Sequence, residues 1–150
     1  MPEPLYRPDA APAPALWLGV AGLVPFVVLA FAAHLAPAAL SAKAIYVLGA
    51  YGAIILSFMG GCRWGLACAG LGEGATWWAL GVSTVPALLA WAALAVGGDA
   101  PLWVCALGLV ALFAADVALS RAGGAPRWWP ALRLPPTVGA VLSLLAATAA

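Results

Sequence analysis

The chain has 150 residues, of which 66% are hydrophobic and 7% charged, whereas a water-soluble domain needs roughly a quarter of its residues charged to cover its surface. Lipid is the solvent that fits such a composition. A formal net charge of +1 gives no basic surface for nucleic acid and no acidic one for cationic partners.

Residues 1–14 are rich in Pro and Ala and read as a flexible tail. They lack the cationic region of a secretory signal, so the first apolar run is expected to stay in the mature protein. Crossing the hydrocarbon takes about 20 mostly apolar residues. Continuous apolar runs, without the period-two alternation of a β-barrel, predict α-helices. The expected architecture is all-α: a single membrane domain over 15–150, with transmembrane helices at about 16–36, 44–69, 76–96, 101–120 and 134–150.

Pro25 interrupts the first span and Pro86 the third, each removing a backbone donor and freeing a carbonyl one turn earlier. Ser83 and Thr84 stand where they can re-satisfy the backbone near Pro86. His34, near the end of the first span, has no second ligand for haem and no carboxylate one turn away for a metal, so it reads as a surface histidine. Cys62, Cys68 and Cys105 lie in apolar stretches with no C-x-x-C pair and read as small packing residues. No cofactor is expected.

The second span carries Tyr51-Gly-Ala-Ile-Ile-Leu-Ser-Phe-Met-Gly-Gly-Cys-Arg-Trp-Gly65. Gly61 and Gly65 form a small-xxx-small pair that permits close helix approach, while Gly52, Gly60 and Gly70 lie on or near the face that carries Arg63. Small residues on both faces predict a central helix contacted all round, with Gly60, Gly61 and Gly65 as the candidate packing face. Two further stretches stand out, Leu18-Gly-Val-Ala-Gly-Leu-Val-Pro-Phe26 and Pro126-Arg-Trp-Trp-Pro-Ala-Leu-Arg-Leu-Pro-Pro-Thr137. In order and spacing the three stretches resemble the small bacterial and mitochondrial membrane proteins similar to transmembrane protein 69, classified as a domain of unknown function. The resemblance covers most of Leu18 to Thr137. It implies membership of that family and supplies no catalytic residue.

Ionisable groups inside a span are costly and count as functional candidates. Arg63 and Asp116 each lie about five residues from the same end of their spans, so an intramembrane ion pair is expected between them. Arg127, Trp128, Trp129 and Arg133 fall between the fourth and fifth spans and suit an interfacial contact with anionic lipid or a protein. Pro135 and Pro136 fit the first turn of the last helix, where a missing donor costs least. Arg7, Arg121, Arg127 and Arg133 gather on one side and Lys43 on the other. The positive-inside rule then predicts a bacterial inner membrane protein with its N-terminus in the cytoplasm and its C-terminus outside.

No nucleophile–base pair, phosphate loop or acid–base set is present in the sequence, so an enzyme is not expected. The leading reading is a non-enzymatic accessory or assembly subunit in the lipid bilayer, packing against another membrane protein or a second copy of itself. The alternative is a small transporter with Arg63 and Asp116 as its polar centre.

Overall fold

The computed structural model describes residues 10–150, which form six helices and no strand. Residues 1–9, including Arg7 and most of the predicted tail, lie outside the described residues; the rest of that tail enters the first helix at Ala13. The helices are α1 (Ala13–Ala21), α2 (Val24–Leu35), α3 (Ala38–Cys68), α4 (Trp77–Val96), α5 (Ala100–Arg121) and α6 (Trp129–Ala147). α1 and α2 together make one span. With α3 to α6 they give five segments long and apolar enough to cross a membrane. The protein is a multi-pass, all-helical membrane protein.

Packing explains how so apolar a chain holds one arrangement. Lipid tails are as apolar as leucine, so association rests on close fit between small residues. The interior is accordingly rich in alanine, with Ala30, Ala53, Ala90, Ala106 and Ala140 buried around Phe26, Leu48, Leu56, Leu109 and Leu144. Large apolar side chains point outward instead, with Trp77 at 97% and Leu35 at 80% exposure. In water such a surface would aggregate.

α3 is the central element and touches α2, α4, α5 and α6. Glycines set three of its contacts. A Cβ on Gly49 would meet Pro101 at 2.9 Å, one on Gly52 would meet Cys105 at 3.1 Å, and one on Gly60 would meet the Ser83 carbonyl oxygen at 2.5 Å. Gly108 on α5 returns the relation, lying against Leu56. The connections at 69–76 and 122–128 also touch, through Gly72 and Gly124.

Four expectations change. α3 begins at Ala38, well before the predicted 44, because Pro37 initiates it and Lys43 stays exposed in its second turn. α6 begins at Trp129 rather than 134. Pro130 fills the tolerated first-turn position, and Pro135 and Pro136 lie inside the helix, depriving the Ala131 and Leu132 carbonyls of their i+4 donors. In α4 the hydroxyls of Ser83 and Thr84 donate to the Leu80 and Gly81 carbonyls, not to the Val82 carbonyl that Pro86 frees. Finally, the first span breaks at Gly22–Leu23, just ahead of Pro25. There the Tyr51 hydroxyl donates to the Gly22 carbonyl at 2.9 Å, tying the break to α3.

Candidate functional site

α3, α5 and α6 bring three charged residues together at one level of the bundle. Arg63 Nη1 lies 3.0 Å from Asp116 Oδ1 and hydrogen bonds to it, while Arg133 Nη1 lies 2.9 Å from Asp116 Oδ2. Asp116 is wholly buried. The side chain of Arg133 is 7% exposed and that of Arg63 20%. The arrangement is a triad of two cations on one carboxylate, so its formal charge is +1.

Each member is placed by its helix. At 100° per residue Arg63 falls on the side of α3 opposite Gly61 and Gly65, so it faces the bundle. Asp116 sits less than two turns before the end of α5, and Arg133 one turn after the start of the antiparallel α6, which sets both at one depth. Arg133 is therefore corrected from an interfacial residue to a buried one. A start at Trp129 puts it one turn inside the span, and Asp116 holds it inward. Pro130 directly after Trp129 was the signal in the sequence, since Pro marks first turns. Arg127 remains exposed, and Trp128 and Trp129 are half-buried and tilted against each other at 5.9 Å.

The glycines divide likewise. Gly60 packs on α4, but a Cβ on Gly61 or Gly65 would meet nothing within 4 Å, and both are exposed. They do not pack within the described residues, so α3 is not covered all round. Ile54, Phe58, Gly61, Gly65 and Cys68 form one exposed stripe along it. His34, expected at the surface, is exposed, and its Nε2 lies 3.1 Å from the Ala146 carbonyl, joining the ends of α2 and α6. The three cysteines are free thiols.

Beside the triad lies a cavity of about 390 Å³ between the first span, α3 and α6, lined almost wholly by apolar side chains. Arg133 and Trp129 also line it, with the Arg133 guanidinium carbon 5.8 Å from the centre of the Trp129 ring. Arg133 Nη1 is engaged by Asp116 Oδ2 at 2.9 Å. Arg133 Nη2 and the indole nitrogens of Trp128 and Trp129 are buried donors with no hydrogen-bond acceptor among the described residues. Those residues hold no cluster of His, Cys, Asp or Glu that could bind a metal.

One known family spans the positions of all three charged residues. The family described as "Protein of unknown function (DUF3429)" matches residues 11–149. The chain belongs to this DUF3429 family. It is also 47% identical over 91 residues to Transmembrane protein 69 of Xenopus tropicalis, an alignment covering 56% of this chain and 33% of that protein. This DUF3429 chain thus spans about a third of the length of the curated relative it matches. No solved structure matches it.

Proposed function

We propose that this protein is a non-enzymatic accessory or assembly subunit of a bacterial cytoplasmic membrane, oriented with its N-terminus inside, that receives a transmembrane helix of another membrane protein on α3. The observation that carries this reading is the exposed stripe Ile54, Phe58, Gly61, Gly65 and Cys68. It occupies about 80° of the helix circumference at 100° per residue. Gly61 and Gly65 offer the close backbone approach by which membrane helices associate, and nothing among the described residues uses it.

Replacing both by leucine tests the proposal, because there is open space at each Cβ and the bundle itself is expected to tolerate the change. Affinity purification of the full chain in mild detergent is expected to recover a stoichiometric membrane protein with the native chain and not with Gly61→Leu/Gly65→Leu. An identical set of co-purifying proteins from both chains would overturn it. Recovery of a second copy of this chain in place of another protein would make the stripe a homodimer face and also refute the reading.

The second reading, a small carrier, is favoured by one feature: the break of the first span at Gly22–Leu23 lies beside the cavity, and broken helices accompany many transporter sites. Solute flux into liposomes holding the native chain, absent from protein-free liposomes and blocked by Gly19→Phe at the cavity wall, would select it.

A further inference from the structure

We infer that the cavity beside Arg133 is a binding site for one acyl chain of an anionic phospholipid, whose phosphate is received by Arg133 and Trp129. The argument begins with unsatisfied chemistry. An arginine guanidinium and an indole N–H are donors only. Here Arg133 Nη2 and the Trp129 indole nitrogen are buried without a hydrogen-bond partner among the described residues, Asp116 facing Nη1 alone, and both residues line the same cavity. Leaving a charged donor in that state inside a membrane is costly, and an oxygen acceptor relieves it.

Charge chooses among acceptors. Asp116 neutralises one of the two arginines, so the triad retains one positive charge, and an anionic oxygen fits it better than a neutral carbonyl or hydroxyl. Shape chooses the rest of the molecule. The α6 residues on the cavity wall run from Trp129 through Thr137 to Ala140, which at 1.5 Å per residue is roughly 16 Å. One leaflet's hydrocarbon is about 15 Å thick. The volume of about 390 Å³ lies in the range of roughly 300–1,000 Å³ found for small-molecule sites.

Depth selects a bilayer phospholipid as the source. Trp129 opens α6 and Arg133 follows one turn further in, about 6 Å at 1.5 Å per residue, within reach of a phosphate drawn inward from the end of the span. Leu18, exposed on the first span, marks where the cavity opens sideways to lipid.

The test is native mass spectrometry of the delipidated full chain, offered phosphatidylglycerol, uncharged diacylglycerol with the same chains, or inorganic phosphate. Two variants are compared with the native chain. Arg133→Gln removes the charge, and Gly19→Phe introduces a ring at a cavity-lining position whose Cβ would meet no atom within 4 Å.

One phosphatidylglycerol adduct is expected, retained about tenfold or more over diacylglycerol, as a hydrogen bond to a buried charge implies. Each variant is expected to lower that retention about tenfold with helical circular dichroism unchanged. Equal retention of diacylglycerol, displacement of the lipid by inorganic phosphate, or native retention in Gly19→Phe would each overturn the assignment. The last holds even if Arg133→Gln fails to fold.

Discussion

Asp116 is the residue on which the interior depends. Its two oxygens face two arginines at 3.0 and 2.9 Å, and its own exposure is zero. Removing the carboxylate leaves two arginines uncompensated, at about 3–5 kcal/mol, whereas replacing the whole cluster by apolar residues is often neutral. Asp116→Asn is therefore expected to lower the thermal midpoint and folded yield in detergent severely. The triple change Asp116→Leu, Arg63→Met, Arg133→Met recovers most of the loss if the cluster serves packing alone. The triad also alters what a charge exchange does. Swapping Arg63 and Asp116 would place an arginine beside Arg133, so this double swap is expected to fold no better than Asp116→Asn; recovery to native yield would show that Arg133 does not act on position 116. The sequence makes Arg63 and Asp116 conspicuous because each interrupts a long apolar run. Arg133 is not conspicuous, because it stands among Pro, Trp and Arg residues that resemble an interfacial loop.

At the scale of the helix, α3 has two glycine faces with opposite consequences. A Cβ at Gly60 would stand 2.5 Å from the backbone oxygen of Ser83, which cannot move aside as a flexible side chain can, so Gly60→Ala must push α4 away. Overpacking of this kind costs about 1–3 kcal/mol. Gly61→Ala meets open space and gains about 0.5–1 kcal/mol from lower backbone entropy in the unfolded chain. Thermal denaturation in detergent should therefore separate neighbouring substitutions in opposite directions, and equal destabilisation by both would contradict the packing of α3 on α4. The five spans are legible in the sequence because hydrophobic length alone decides them. Which glycine faces which neighbour is not legible, since Gly60 and Gly61 differ only by 100° of rotation and the position of α4 is set by contacts distant in sequence. The start of α6 was obscured for a related reason: Pro135-Pro136 and Pro130 are both credible first-turn markers, and the pull of Asp116 on Arg133 favours the earlier one.

Across the whole molecule, the connections at 69–76 and 122–128 lie together through Gly72 and Gly124, so they share one side of the membrane. Arg133 no longer counts toward the positive charge of that side, because it is buried in the triad, and Lys43 has moved into α3. Among the described residues, Arg121 and Arg127 are then the exposed arginines near that end, against Lys43 near the other. Short-loop arginines are retained in the cytoplasm during insertion, so the proposed orientation rests mainly on the 122–128 connection and the residue preceding it. Labelling can decide it. In a chain with Cys62, Cys68 and Cys105 changed to Ser or Ala, a single Arg127→Cys thiol is expected to react with a membrane-impermeant maleimide in inside-out vesicles and to stay unlabelled in intact spheroplasts. The reverse pattern would invert the bundle. It would also put the Arg133 end of the cavity in the outer leaflet, so the same experiment fixes which leaflet supplies any lipid that enters beside Trp129.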